Sequence, residues 1–258
     1  MRSISRTASS KPSKPSLPEH IQAGSTRSSD SNAGSGSWPS GPTRPHLAEG
    51  AVHVWRADLE TVEDALGELL DAKETARAAR LLNPRDRRRW TRARGVLRAL
   101  LGLYLEVDPS SLCFQTGQHG KPSLIPPAIS FNLSHSGAVA LYALTPTAAV
   151  GVDVEVSLRP TDVLGVAGRV FGASEAERLR ALEPVRRRQE FVRAWVQREA
   201  ELKRTGVGLA GLDERGAGAA SWVAALDVGA DGAAALALEA QPRELCCWEW
   251  PPVARGMS

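Results

Sequence analysis

The chain has 258 residues, 42% of them hydrophobic and 24% charged, which is enough for one large globular domain or two small ones. Its formal net charge of +3 is too small to point to a nucleic-acid partner, and no apolar run is long enough to cross a membrane. The three cysteines offer neither a disulfide framework nor the spacing of a metal site, so we expect a cytoplasmic protein.

The first 50 residues are rich in Ser, Pro, Gly, Lys and Arg and almost free of large apolar side chains. Such a segment cannot bury enough surface to offset the entropy of ordering, so residues 1–50 are predicted to be a disordered tail. A transit peptide is also rich in Ser and Arg, but Glu19, Asp30 and the many prolines argue against one.

Apolar periodicity divides the rest of the chain into strands and helices. In a first half, 51–148, the predicted elements are a strand at 52–59, helices at 62–70, 75–82 and 86–104, and strands at 112–116, 129–133 and 138–144. In a second half, 149–258, an acidic strand at 148–156 is followed by helices at 163–171, 174–182 and 189–204 and strands at 221–228, 234–239 and 245–250. This order predicts an α/β (α+β) fold of two similar halves that meet at a shared cleft.

The helix predicted at 86–104 carries an apolar stripe and many arginines. Those opposite the stripe are Arg85, Arg88 and Arg92, and those that flank it are Arg94 and Arg98. A solvated face accounts for most of these residues. The flanking pair is better placed to reach a neighbouring cleft and hold an anion through two guanidinium nitrogens.

Two polar turns lie between the strands of the first half. One is the Gly-Lys turn at 117–122, and the other is the Ser134-His135-Ser136-Gly137 loop at the end of a strand. Either could be simply solvated, or the two together could cradle a phosphate. The chain contains no P-loop motif.

The acidic strand alternates valines with Gly151, Asp153 and Glu155. A period of two places both carboxylates on the same face, about 6–7 Å apart along the strand. Like charges there repel, and a divalent cation such as Mg²⁺ would relieve the repulsion. An edge strand with a solvated acidic face is the alternative.

The helix predicted at 189–204 places a third carboxylate beside apolar residues. Glu199 falls four residues after Trp195, at the edge of the buried stripe, and Lys203 stands one turn later. A weak Glu–Lys pair along the helix is the plain interpretation. A ligand that completes a metal site with Asp153 and Glu155 is the functional one.

Four motifs in this order resemble those of the 4'-phosphopantetheinyl transferases of the surfactin-synthetase-activating type. They are Phe114-x-Thr-x-x-x-Gly-Lys-Pro122, Phe131-Asn-Leu-Ser-His-Ser136, Gly151-Val-Asp-Val-Glu155 and Trp195-x-x-Arg-Glu-Ala-x-x-Lys203-x-x-Gly-x-Gly-Leu209. The resemblance spans roughly 52–250. It implies two pseudo-symmetric halves, each a small, mostly antiparallel sheet packed with helices, with the active site in the cleft between them.

The resemblance also implies an activity, a cofactor and a set of roles. Such enzymes transfer the phosphopantetheine arm of coenzyme A to a serine of an acyl or peptidyl carrier protein and release adenosine 3',5'-bisphosphate. The implied metal ligands for Mg²⁺, or for Mn²⁺ in its place, are Asp153, Glu155 and Glu199. The implied coenzyme A contacts are Arg80, Arg85, Arg98, Lys121, Ser134, His135, Arg198 and Lys203. The implied catalytic residues are Glu199, which is favoured as general base, Lys203 and Glu175; the protein is expected to be a monomer.

Two departures from the family pattern keep alternatives open. Arg198 replaces the usual lysine, and nothing strand-like follows 245–250, so the second half could lack an edge strand. One alternative is therefore a degenerate, inactive member of the family. Another is a nucleic-acid-binding protein that uses the arginines of 77–98, but this hypothesis leaves the three carboxylates unexplained.

Overall fold

The computed structural model describes residues 37–117, 119–156, 162–207, 221–230 and 232–251. In these ranges the strands are β1 (Ala51–Asp58), β2 (Cys113–Thr116), β3 (Pro122–Ile125), β4 (Ser130–Ser136), β5 (Val139–Thr145), β6 (Gly151–Glu155), β7 (Trp222–Leu226), β8 (Ala233–Leu238) and β9 (Glu244–Glu249). The α-helices are α1 (Ala72–Ala79), α2 (Pro84–Leu105), α3 (Val163–Val170), α4 (Ala173–Arg180) and α5 (Pro184–Thr205). Short 3-10 helices cover Asp64–Leu69 and Pro109–Ser111, the first where an α-helix was predicted at 62–70.

The strands form two main sheets and a hairpin. The first sheet has the order β4-β5-β1-β9, the second has the order β6-β8-β7, and β2 pairs with β3. Only the β1–β9 pairing is parallel among the strand pairs described. The predicted α/β (α+β) class, with small, mostly antiparallel sheets packed with helices, is confirmed.

The two sheets pack face to face, with a long helix on each outer side. Alternate residues of β1 separate the two cores: Val54 packs with the second sheet, whereas Trp55 packs with α2. In β8, Leu236 faces the first sheet, and Ala235 lies with Val196 of α5. The layers therefore run helix, sheet, sheet, helix, as the period of two along each strand requires.

The last strand does not belong to the second half in which it was predicted. β9 runs parallel to β1, with Trp248 opposite Trp55 and their rings 5.1 Å apart. The boundary that assigned 149–258 to one half is therefore wrong for this strand. Local periodicity identifies a strand but says nothing about its partner. Whether a further strand follows 250 depends on residues 252–258, which lie outside the described residues.

The folded part begins earlier than the predicted tail allowed. Trp38 is buried, and its Nε1 donates a hydrogen bond of 2.7 Å to the carbonyl of Asp227. Pro39 accepts a hydrogen bond from the backbone of Glu249, and Gly41 lies against the ring of Trp55. Residues 37–50 are thus part of the fold, because one tryptophan anchors a segment whose overall composition resembles that of a tail. Residues 1–36 lie outside the described residues.

None of the α-helices in the described ranges is both long enough and apolar enough to cross a membrane. The longest of them, α2 and α5, each carry many arginines.

Candidate active site

The close approach of α5 to β6 positions the candidate site. A Cβ atom at Gly151 would overlap the carbonyl oxygen of Ala200 and the backbone nitrogen of Arg204. Only glycine therefore lets the backbone of the helix rest on the strand. This contact places Glu199 and Lys203 of α5 over the polar face of β6, where Asp153 lies.

Asp153, Ser134 and Lys203 form a closed hydrogen-bonded triangle. Lys203 Nζ lies 2.5 Å from Asp153 Oδ1 and 2.9 Å from Ser134 Oγ, and Ser134 Oγ lies 2.8 Å from the same Asp153 oxygen. Because an ammonium can only donate, the hydroxyl of Ser134 accepts from Lys203 and donates to Asp153. Asp153 is buried, so the lysine supplies a charge that this carboxylate requires.

Polar side chains of β4 join the edge of β6. Asn132 accepts a hydrogen bond of 2.8 Å from the backbone of Val152. Ser136 donates one of 2.8 Å to Glu155 Oε2 and accepts one of 3.2 Å from the backbone of Val156. The predicted loop at 134–137 is wrong for this reason: Ser134 to Ser136 continue β4, and their alternation aims the serines at the acidic strand.

Two carboxylate oxygens of the site are buried with no hydrogen-bond partner among the described residues. They are Asp153 Oδ2 and Glu199 Oε1. Burial raises the pKa of Glu199, and the nearby Asp153 and Glu155 raise it further, while Lys203 opposes them. Burial likewise raises the pKa of Glu155, which also responds to Asp153. The three carboxylates therefore lie within electrostatic range of one another.

This donor set suits a hard divalent cation, which prefers carboxylate oxygens. Asp153 and Glu199 each offer an unpartnered oxygen, whereas Glu155 is bound to Ser136. In the part of the chain that the structure describes, no group of three acidic, His or Cys side chains stands at metal-ligand spacing. The three-ligand metal centre remains a prediction.

Cations extend from Lys203 toward α2. His135 is the exposed residue of β4 between the two bridging serines. The protein around it lowers its pKa, and the charges of Lys203 and Arg89 lower it further. Arg89 also lines a cavity of ≈ 320 Å³, together with Glu60, Pro84, Arg85, Arg88 and Arg92. The site therefore joins an acidic centre to a basic cleft.

Comparison with known proteins identifies this arrangement. The family model for the 4'-phosphopantetheinyl transferase superfamily matches residues 149–246. The 4'-phosphopantetheinyl transferase HetI of Nostoc sp. is 41% identical over 185 residues, which cover 69% of this chain and 78% of HetI. The chain belongs to the 4'-phosphopantetheinyl transferase family.

Other transferases of the family match over shorter stretches. Sfp of Bacillus subtilis is 30% identical over 115 residues, which cover 44% of this chain and 50% of Sfp. AcpT of Escherichia coli is 31% identical over 121 residues, which cover 46% of this chain and 58% of AcpT. The chain is thus an enzyme of the phosphopantetheinyl transferase class, whose members act on carrier proteins.

In this transferase, Arg98 is not a phosphate ligand. Its side chain is fully buried, and it donates to Glu74 Oε2 at 2.6 Å, to Asp71 Oδ2 at 3.0 Å and to backbone carbonyls near Leu112. Arg94 binds the other oxygen of Glu74 at 2.6 Å. The predicted anion-binding role of the flanking pair is wrong, because both arginines neutralise a buried acid from α1. The signal for this acid was the capping box of α1, with Asp71 at the N-cap and Glu74 three residues later.

The contacts of the α2 arginines also argue against the nucleic-acid hypothesis. Arg92 is buried as well, and it donates to the carbonyl of Leu59 at 2.6 Å. Arg85 and Arg89 share one oxygen of Glu60, and Arg88 binds Asp64. These arginines pair with protein groups and line a cleft, so α2 does not present a free basic face.

Lys121 has a structural role in the described fold, and its predicted phosphate contact stays a prediction. Its Nζ donates to the carbonyls of Val150, Lys203 and Arg204 at 2.9, 2.7 and 3.2 Å. These three bonds use every hydrogen of the ammonium. Burial lowers the pKa of Lys121 to about 8, and Arg204 adds to this effect. The lysine ties the turn after β2 to the last turn of α5.

The remaining predicted site residues are Glu175, Arg198 and Arg80, and their described contacts differ. Glu175 is held by Arg178 of the same helix at 2.7 and 2.9 Å, and no described hydrogen bond or ion pair joins it to Asp153, Glu155 or Glu199. Arg198 approaches Glu201 at 3.8 Å, and its charge, like that of Lys203, lowers the pKa of Glu199 against the effect of burial. Arg80 is exposed at the end of α1.

Proposed function

We propose that this enzyme transfers 4'-phosphopantetheine from coenzyme A to a serine hydroxyl of an apo carrier protein and releases adenosine 3',5'-bisphosphate in a Mg²⁺-dependent reaction. The observation that carries the proposal is the pair of buried, unpartnered oxygens of Asp153 and Glu199 beside the ammonium of Lys203. A carboxylate pair next to cations suits a metal ion together with the diphosphate of coenzyme A.

Asp153, Glu155 and Glu199 would hold the metal. When bound, Mg²⁺ or Mn²⁺ would neutralise negative charge on the diphosphate as its P–O bond breaks. The hydrogen bonds from Ser134 to Asp153 and from Ser136 to Glu155 orient two of these carboxylates. Such support keeps ligands in place without the metal, which reduces the cost of binding it.

Different cationic side chains would bind the diphosphate and the 3'-phosphate of coenzyme A. Lys203 lies next to the carboxylates and would contact the diphosphate, together with Ser134. His135 and Arg89 lie toward the basic cleft, and we assign them with Arg85 to the 3'-phosphate. Charge-assisted bonds of this kind are the strong ones for phosphate recognition.

Glu199 would act as the general base. Its buried Oε1 has no hydrogen-bond partner among the described residues and could accept a proton, and burial raises the pKa of Glu199 in the absence of a metal ion. The carrier serine would lose its proton to Glu199 as its oxygen bonds to the phosphorus, and adenosine 3',5'-bisphosphate would leave on the opposite side. The reaction needs no covalent bond to the enzyme.

The partner would be an acyl or peptidyl carrier protein, and we propose that the enzyme works as a monomer. The carboxylates, Ser134, His135 and Lys203 of the site all come from one chain, which supports a site complete in a single copy.

A direct assay tests the proposal. Purified enzyme is incubated with coenzyme A, Mg²⁺ and a panel of apo acyl and peptidyl carrier proteins, and each carrier is weighed by mass spectrometry. We expect one added phosphopantetheine group, no addition in the presence of a chelator, and no addition to a carrier in which the acceptor serine is alanine. Modification that persists with the chelator would contradict the metal requirement.

A further inference from the structure

Lys203 places an ammonium among the carboxylates of this site. Its Nζ bonds Asp153 Oδ1, and its charge lowers the pKa of both Glu155 and Glu199 against their burial. Within the part of the chain that the structure describes, the other oxygen of Asp153 and one oxygen of Glu199 have no hydrogen-bond partner. The lysine thus offsets the charge of several carboxylates but satisfies the hydrogen-bonding capacity of only one oxygen.

The lysine side chain can leave this position, whereas its surroundings are fixed. Its side chain is 29% exposed, against 6% for that of Asp153. Its backbone is held in place because Lys121 binds the carbonyl of Lys203 at 2.7 Å. If the ammonium moves away, Asp153 still keeps its hydrogen bond from Ser134. A long, flexible stem on a fixed backbone allows the head group to turn without a change in the helix.

We propose that Lys203 is a built-in counter-cation, which takes the place of the metal ion in the metal-free enzyme and gives up Asp153 when a divalent cation binds. This inference rests on the proposed function, since it uses the same carboxylates. Lys203 Nζ stands 2.5 Å from Asp153 Oδ1, in the place that a cation bound to this oxygen would take. The released ammonium would then be free to contact the diphosphate, so metal binding would also prepare the phosphate contact.

The proposal predicts that Lys203 competes with the metal. Removing its charge should therefore tighten metal binding, which is the opposite of what loss of a supporting residue would do. We expect Lys203→Met and Lys203→Gln to bind Mn²⁺ at least about tenfold more tightly than the unchanged enzyme in the absence of coenzyme A, because a nearby unit charge opposes the ion. Free Mn²⁺ is measured by electron paramagnetic resonance during a titration.

Two further variants control for charge. Lys203→Arg keeps the cation, and Lys73→Met removes an exposed cation from α1, so both should bind Mn²⁺ like the unchanged enzyme. In chelator, the two neutral variants should unfold at a lower temperature than the unchanged enzyme, because the carboxylates are left unopposed. Mn²⁺ should raise their unfolding temperature by more than it raises that of the unchanged enzyme.

The outcomes separate this inference from the proposed function. If the unchanged enzyme modifies a carrier with Mn²⁺ but the neutral variants bind the ion equally or more weakly, the counter-cation role is wrong and the function stands. If the unchanged enzyme neither modifies any carrier nor binds Mn²⁺ with coenzyme A present, the proposed function fails and this inference fails with it. Tighter binding in either neutral variant, with both controls unchanged, supports it.

Discussion

The carbonyl oxygen of Ala200 lies where the first side-chain atom of any residue other than glycine at position 151 would stand. This contact joins the motif on β6 to the motif on α5, although the two are far apart in the sequence. The contact between Gly151 and Ala200 fixes the distance between the backbone of α5, which carries Glu199 and Lys203, and Asp153 on β6. The geometry of the proposed metal site therefore depends on a residue that carries no chemistry of its own.

Gly151→Ala should consequently lower both stability and activity. Neither backbone atom in the overlap can move without shifting α5, and overpacking of this kind costs at least about 1–3 kcal/mol. Denaturant unfolding and the carrier assay measure the two effects. Gly168→Ala is the matched control: a Cβ there meets only ordinary contact at 3.9 Å, so we expect unchanged or slightly higher stability. Native-like unfolding of Gly151→Ala would contradict the close packing of α5 on β6.

The carboxylates should be required for turnover but not for folding. We expect Asp153→Asn and Glu199→Gln each to reduce turnover at least about 100-fold, because each removes a proposed metal ligand and the second also removes the base. Glu199→Gln removes one of several repelling carboxylates and should leave metal-free stability unchanged or higher, whereas Asp153→Asn also loses the ion pair with Lys203 but should still fold. Glu177→Gln serves as control, since Glu177 is an exposed partner of Arg180 on α4 and should not affect turnover. Full carrier modification by either site variant would refute the mechanism.

The basic cleft should recognise the 3'-phosphate specifically. Arg89→Met is expected to raise the KM for coenzyme A by at least about tenfold, since a charge-assisted phosphate contact contributes about 1.5–3 kcal/mol. The same variant should handle 3'-dephospho-coenzyme A about as well as the unchanged enzyme does. Steady-state kinetics with the two substrates give the comparison. An equal loss with both would place Arg89 away from the 3'-phosphate.

Arg98 should affect stability and not substrate affinity. Arg98→Met leaves the buried Glu74 with Arg94 as its remaining described ion-pair partner, and breaking a buried pair costs about 3–5 kcal/mol. The free energy of unfolding should fall by that order, while the KM for coenzyme A of the folded fraction stays unchanged. Arg80→Met, at an exposed position, should change stability by less than about 0.5 kcal/mol. A raised KM for coenzyme A with normal stability would instead support the predicted contact between Arg98 and coenzyme A.

The N-terminal boundary of the fold can be located by truncation. Removing residues 1–36 should leave stability and activity unchanged, because this segment has few large apolar side chains with which to join the core. Removing residues 1–44 also deletes Trp38, which packs in the core between the sheets and hydrogen bonds to Asp227. Loss of a buried tryptophan costs about 3 kcal/mol or more. Trp38→Ala in the full chain should reproduce most of that loss in a thermal unfolding experiment.

Local periodicity was enough to predict most elements and the polar face of β6. The alternation of valines with acids requires Asp153 and Glu155 to share a face, and the helical repeat places Glu199 and Lys203 one turn apart. The motifs that carry the resemblance also pointed to the family, which the comparison with HetI confirms. These properties depend on residues close to one another in the sequence.

Tertiary structure decided which charged groups are free. The resemblance implies that Arg98 binds a phosphate, but in the fold its fully buried side chain binds Glu74. Lys121, for which a phosphate contact is also predicted, binds the carbonyls at the end of α5. The pairing of β9 with β1 and the burial of Trp38 likewise depend on partners distant along the chain. From the sequence alone, the side chain of a lysine or arginine could bind a buried acid, the carbonyls at a helix end or a substrate. Only the packing of α1, α2 and α5 around the two sheets determines which of these partners it meets, because a buried charge must be neutralised where it lies.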